Sequence, residues 1–436
     1  MADRFSRTPI LWLLALGLLI GIAEWPFQAI SELGFSLQRA LWPLPGLTNP
    51  GTVLQWKGVL LVFAASTALL ALSWGPFSAG RGGGVAPLLA LDRCQTPGGQ
   101  ERRQQWLGKL SLRTQLIRFP LIVLTHLGGL SVGVESPSAS LGASLLLALR
   151  QRFPQWRPLS SMPLPLVGVI GGAAGLGAAF RSPLLGVVYG LEELGKCAGL
   201  GLVLPTLVIA GIGALVNSGL GQPAHLAGLQ LGSPDPRLWP WIVLITAIGS
   251  LFGVVFVRLL ITLALVVQRC MQKRRVAFTL TIATLLSLFA LVSGGLSLND
   301  GSLSLGAALQ GASGGPPLTL LWRGLASLLS IAIGAPGGLM HDAMTLGSLL
   351  PGAMAWLPPL TQLSVPAQAQ LAAVGATALF AAANGTPIFC AVFVFTLQGD
   401  PSLLLSLLVV SAVSEVLATP LRGEGWNEHQ SNALMA

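Results

Sequence analysis

Gly133-Val134-Glu135-Ser136-Pro137 sets one carboxylate between long apolar runs, in a chain where only 9% of residues are charged. A carboxylate at membrane depth is costly to hold and is by default a functional group. Further on, Glu192-Glu193 close a second apolar run over residues 184–191. Carboxylates so placed can carry protons and compete with anions, and the two sites together outline an ion and proton pathway.

Three glycine-containing turns stand ahead of short helical segments: Gly82-Gly83-Gly84-Val85-Ala86-Pro87, then Gly133 to Pro137, then Gly337-Gly338-Leu339-Met340. The first amides of a helix lack intrahelical acceptors and carry the positive end of its dipole. Several such ends converging on one point hold an anion without a full lysine or arginine. Beside the third turn, His341-Asp342 reads either as a pH-sensing pair or as a helix-capping acid with a histidine neighbour; the capping reading is preferred. His126 reads as a satisfied interior side chain and Asp92, near a basic loop, as solvated. Glu192 either hydrates proton entry or pairs with Lys196 one turn on.

Enzyme chemistry finds no support. Gly129-Leu130-Ser131-Val132-Gly133 fits the G-x-S-x-G pattern, but that elbow needs a strand-to-helix turn in an α/β sheet, and this region reads as apolar helix. Asp300 and Asp400 fall in polar turns and Asp92 beside a basic loop, which makes no pair of intramembrane aspartates. Cys94, Cys197, Cys270 and Cys390 lack metal spacing and read as free thiols, so neither a metal nor a cofactor is expected.

The elements that must position these groups follow from composition. With 53% hydrophobic residues over 436 positions and a mean hydropathy of +0.75, the chain is an all-α polytopic membrane protein. Apolar runs cover residues 11–23, 59–74, 116–130, 200–216, 239–267, 278–292 and 403–418, while 139–149, 167–180 and 343–350 are too short or glycine-broken to cross alone. That mixture predicts half-helices beside full spans. The 54 Gly and 30 Pro suit close helix contact and breaks that line a cavity. The excess of 24 Lys+Arg over 15 Asp+Glu gathers at residues 93–113 and 269–275, which predicts two cytoplasmic loops. Such short clusters beside membrane segments argue against a nucleic-acid patch. Arg4 and Arg7 before an apolar run resemble a signal peptide. No small-residue cleavage motif follows cleanly, and Glu24-Trp25-Pro26 interrupts instead, so a retained first helix is expected.

The glycine-rich stretches 171–183 and 375–387 match at a displacement of 204 positions, and Gly133 and Gly337 share that displacement. Glycine-rich breaks at corresponding places in two halves point to a midplane binding site. The expected divisions are an N-terminal segment with a first membrane helix (1–52), a first membrane repeat (53–220), a linker (221–237), a second repeat (238–421) and a polar C-terminal tail (422–436).

Taken together, these residues resemble the CLC chloride channel and transporter family, whose signatures GSGIP, G(K/R)EGP and GxFxP each open a helix pointing at the anion path. Gly133, Glu135 and Pro137 stand in register with the second signature and Leu141-Gly142 follow as expected. Residues 171–193 resemble the next two helices, and Gly334-Ala335-Pro336-Gly337-Gly338 the lead-in to the third signature. The chain also departs from the pattern. Gly83 stands where a serine is usual, and its proline comes one residue late at Pro87. Val134 and Ser136 replace a basic residue and a glycine, and Leu339-Met340-His341-Asp342 lacks the aromatic and proline of the third signature. No tyrosine stands near the C-terminus, where Trp426 is a candidate substitute.

The resemblance implies a CLC-type fold of two inverted-topology repeats with broken helices, a homodimer in the lipid bilayer, and a multi-pass position in the inner (plasma) membrane. It implies chloride transport coupled to protons. Glu135 would be the gate, Glu193 the internal proton acceptor with Glu192 beside it, and Gly83, Ser136, Leu339, Met340 and His341 the anion-binding positions. Without the serine and tyrosine the central anion site should be weaker, since each hydrogen bond to a charged group contributes about 1.5–3 kcal/mol. The alternatives are a passive anion channel, including one for fluoride or nitrate, and a non-conducting protein on the same scaffold.

Overall fold

The computed structural model describes residues 7–47, 54–93, 100–155, 157–195, 199–221 and 229–435, and among them it is helical apart from one antiparallel bridge. The first half of the chain holds α1 (Arg7–Leu41), α2 (Gln55–Ser73), α3 (Ala86–Arg93), α4 (Gln100–Lys109), α5 (Leu112–Leu127), α6 (Glu135–Arg152), α7 (Arg157–Ser160), α8 (Leu164–Ala179), α9 (Pro183–Tyr189) and α10 (Val203–Gly219). The second holds α11 (Trp239–Lys273), α12 (Arg275–Val292), α13 (Ser302–Leu309), α14 (Thr319–Ala332), α15 (Met340–Ser348), α16 (Leu350–Ala353), α17 (Pro358–Thr361), α18 (Val365–Asn384), α19 (Pro387–Gln398) and α20 (Leu404–Arg422), followed by α21 (Trp426–Met435).

The two halves match in order. A 35-residue helix heads each one, α1 and α11. Helices of 19 and 18 residues follow, α2 and α12, then two of 8 residues, α3 and α13. The series continues with α5 and α14, α6 and α15, α8 and α18, α9 and α19, and α10 and α20. The parallel begins at α1, one helix earlier than a boundary at residue 53. Glu24-Trp25-Pro26 does not break the first helix, because α1 carries Pro26 inside it and runs on to Leu41.

Among the described residues, six helices are long and apolar enough to cross a membrane. The apolar window of α18 is 83% buried against 33–39% for the other five, so α18 is the central post and the others turn one side to lipid. Glycine sets how closely the inner helices approach. A Cβ on Gly142 in α6 would collide with the Gly171 carbonyl oxygen in α8, and one on Gly347 in α15 with the Gly375 carbonyl oxygen in α18. The same contact is thus built once in each half.

Two further expectations are corrected. Asp92 is 2% exposed, inside the short helix α3 rather than solvated. Residues 422–436 are not only a polar tail, because α21 folds back onto α3 and Arg93 pairs there with Glu428 at 2.9 Å. Cys270 and Cys390 are free thiols, whereas Cys94, Cys197 and Lys196 lie outside the described residues.

Candidate anion and proton site

Helix breaks from both halves meet at one place. Gly133 and Gly338 form an antiparallel bridge, Gly133 N–H donating to Gly338 at 3.1 Å and Gly338 N–H to Gly133 at 2.8 Å. The first turn joins them, since a Cβ on Gly83 would lie 2.5 Å from Ser136 Cβ and 2.8 Å from the Gly337 oxygen. Gly83 therefore has no room for the serine expected there while Ser136 stands opposite. The hydroxyl lost from one turn is present on the facing one.

Glu135 opens α6 and is 0% exposed. Its Oε1 accepts the backbone N–H of His341 at 2.8 Å and faces His341 Nδ1 at 2.5 Å. Its Oε2 has no hydrogen-bond partner among the described residues. His341, in the first turn of α15, is clamped between the Phe180 ring, stacked at 5.3 Å, and Phe393, edge-on at 5.4 Å. The carboxylate thus occupies a first-turn amide that an incoming anion would otherwise use. Leu339 and Met340, beside it, are buried at the N-cap and first position of α15.

Asp342 is not the cap of that helix. Its Oδ1 accepts from Arg323 at 2.8 Å, Ser131 at 2.7 Å and Ser327 at 2.6 Å, all fully or nearly fully buried. Arg323 also donates to the carbonyls of Leu296, Leu298 and Asn299. This network ties α14, α15 and the turn before α13 together behind the site. Ser131, the serine of the G-x-S-x-G match, is absorbed in it.

An outer cavity of about 160 Å³ reaches the site, lined by Gln28, Glu32, Arg39, Asp300, Phe180 and His341 among others. A vestibule of about 530 Å³, called inner because Lys109 of the basic cluster at residues 93–113 lines it, is also bordered by Gly82, Gly83, Gly84, Arg81, Arg118 and Trp426 among others. Its three cations are accompanied by no lining carboxylate. Burial, and next the charge of Arg81, pushes the Lys109 ammonium below the usual lysine range. Trp426 thus borders the vestibule, and Lys109 and Gln268 from near the two basic clusters share it.

The second acidic pair lies where the helix of α9 widens into a π-turn, Gly190–Leu194. Such turns reorient side chains at functional sites. Glu193 is 7% exposed and accepts from Asn384 Nδ2 at 3.1 Å and Asn427 Nδ2 at 2.9 Å. Glu192 is half-buried and accepts the amides of Ile388 at 3.2 Å and Phe389 at 2.6 Å, capping α19. That cap fixes the turn from which Glu193 projects.

Sequence reasoning gave no role to Asn384, at the end of α18, or to Asn427, in the polar-looking tail, because single amide side chains carry no motif. It also passed over three buried groups. Glu24 on α1 is 0% exposed and neither carboxylate oxygen has a hydrogen bond of good geometry. The Tyr189 hydroxyl is buried without a hydrogen-bond partner among the described residues and lies within electrostatic range of both Glu193 and Glu135. Arg118 donates to Gln115, Ser140 and the Gly80 carbonyl, with no carboxylate beside it among the described residues. His126 is interior as expected, but its Nε2 is unpaired.

Two inverted helical repeats whose glycine breaks meet at a buried carboxylate define a membrane transport protein with a site between its halves. The voltage gated chloride channel family matches residues 97–419, and the chain belongs to that family. The H(+)/Cl(-) exchange transporter ClcA of Vibrio cholerae is 28% identical over 68% of this chain, which spans 64% of that relative's length. The voltage-gated ClC-type chloride channel ClcB of Escherichia coli is 25% identical over 86% of this chain and 87% of its own. Among solved structures, a slow cyanobacterial Cl-/H+ antiporter aligns with a TM-score of 0.76 at 19% identity, covering 99% of both chains. A CLC-type fluoride/proton antiporter aligns at 0.73 and 20% identity, covering 97% of this chain and 98% of its own. Fold class and membership in a multi-pass membrane family therefore stand as expected.

Proposed function

We propose that this protein exchanges chloride for protons across the inner (plasma) membrane of its cell, as a homodimer with one pathway in each subunit. The division into halves that fits this reading runs from α1 to α10 and from α11 to α20. The observation that carries the reading is the placement of the Glu135 carboxylate on the His341 amide, at the junction of three glycine turns. When ionised, Glu135 takes donors that chloride needs. When protonated it gives them up, so proton and anion occupancy are linked. Anions approach the inner side through the cationic vestibule and meet the first-turn amides near Gly83, Ser136, Leu339, Met340 and His341. Protons use Glu193 at the inner end, with Glu192 as its positioning residue rather than a carrier.

A passive channel, or transport of another small anion such as fluoride or nitrate, is the second reading. It is favoured by the hydroxyl standing at Ser136 and not at Gly83, which alters the anion-facing side chains, and by the likeness to a ClC-type channel over most of the chain. The test places purified protein in liposomes under a chloride gradient at clamped potential and records chloride and pH together. Proton movement driven by chloride, lost in Glu135→Gln and Glu193→Gln, is the expected result. Chloride flux without proton movement would leave a channel, and no flux of any anion would leave a scaffold without transport.

A further inference from the structure

Glu135 is fully buried and does not line the outer cavity. His341 spans that gap, since its ring lines the cavity while its Nδ1 lies 2.5 Å from Glu135 Oε1. Phe180 and Phe393 hold the ring in this attitude. We propose that His341 is the outer proton relay of the gate, so that a proton passing between the outer cavity and Glu135 crosses this imidazole. The inference rests on the proton-coupled reading above and adds a residue to it.

The step balances within the dyad. A proton from the cavity binds Nε2 of the neutral ring. The Nδ1–H bond then breaks, an O–H bond forms at Glu135 Oε1, and a neutral imidazole remains in the other tautomer. Running the two transfers backwards, or exchanging ring protons with cavity solvent, restores the start. An imidazole suits this because its two nitrogens can face two different environments and it titrates near neutrality when unperturbed.

The charges around the ring are few. Glu135 faces it from α6 and Asp300 from the turn before α13, while Glu32 and Arg39 of α1 share the cavity. Asp342, on its own helix, is turned to Arg323. From α19 and the end of α8 only the Phe393 and Phe180 rings approach. Glu32 and Asp300 are placed to gather protons at the cavity, and the imidazole is the polar group there that touches the gate.

The experiment compares wild type, His341→Asn and His341→Ala in liposomes, varying external pH alone and recording proton and chloride flux. A relay predicts that His341→Asn loses proton flux by about tenfold or more, the scale of a lost general acid, with a smaller loss of chloride flux. The external pH profile should lose its inflection near neutrality, and imidazole added outside, not inside, should restore proton flux to His341→Ala. Unchanged proton flux and pH profile in His341→Asn overturns the relay and leaves exchange standing. A wild type that moves no protons overturns the exchange reading, and the relay falls with it. Should the variants not fold, histidine-labelled wild type and Glu135→Gln are compared by NMR. A His341 titration that Glu135→Gln leaves unchanged also overturns the relay.

Discussion

Two buried carboxylates, at the ends of the proposed pathway, have partners that differ in kind. Glu135 faces an ionisable imidazole and a backbone amide. Glu193 is held by two neutral carboxamides, Asn384 and Asn427. An imidazole changes charge with pH, so the field on Glu135 responds to the outer solution. Carboxamides do not titrate, so these two donors to Glu193 stay the same across the pH range. On the proposed reading the outer end senses and the inner end carries.

The largest effect that can break this contrast comes from Glu135→Gln. The neutral amide cannot ionise, so proton movement should fall by about a hundredfold or more and the response of chloride flux to external pH should vanish. Paired flux recordings decide it: a retained pH response would place the sensor elsewhere. Next comes Glu193→Gln, for which proton movement is lost while chloride flux persists, because no chloride-facing turn includes this residue. If chloride flux stopped as well, Glu193 would belong to the anion path and the division between sensing and carrying would collapse.

How much of this was legible in the sequence follows from what each signal encodes. Glycine spacing gave the broken helices, because close backbone contact leaves glycine few alternatives; Gly142 against Gly171 and Gly347 against Gly375 are that constraint in atoms. The carboxylates Glu135 and Glu193 stood out because charge is rare in an apolar chain. Partners were not legible, since they arise from residues far apart in sequence. Asp342 looked like a cap from its position in the first turn of α15, but the guanidinium of Arg323 on α14 competes for it and wins. A charge-assisted hydrogen bond to a guanidinium outweighs one to a neutral backbone amide. Residues 422–436 read as a tail because polar composition says nothing of docking, yet the Arg93–Glu428 pair lays α21 on α3 and delivers Asn427 to Glu193. Pro26 reads as a stop in sequence, yet α1 runs on through it to Leu41.

A smaller effect sharpens the inner half of the comparison. Asn427→Ala removes one of two donors to Glu193 while leaving Asn384 in place. Loss of a hydrogen bond to a charged acceptor is worth about 1.5–3 kcal/mol, and the remaining donor moderates the result. Proton flux should fall by about tenfold, and the pH profile from the inner side should shift without changing shape. A profile that changed shape would mean that α21 brings a titrating group to Glu193, and His429 on the same helix would be the one to replace next.

The smallest effect lies away from the proposed pathway, at a carboxylate whose partners are loop amides and a serine hydroxyl. Asp400 precedes α20. Burial pushes its carboxyl up, but the Leu231 amide, the Ser402 hydroxyl and amide, and the Gly232 amide together hold it at about 2, below its ordinary value of 3.8. A depressed carboxylate contributes stability that is full above the ordinary value and is lost as pH falls through the lowered one. Asp400→Asn should therefore melt lower than wild type above about pH 4, with the gap closing toward pH 2 and transport at neutral pH little changed. Thermal unfolding in detergent across that range reads the difference directly. A gap that stayed constant down to pH 2 would show that the loop is held by packing and not by the carboxylate charge.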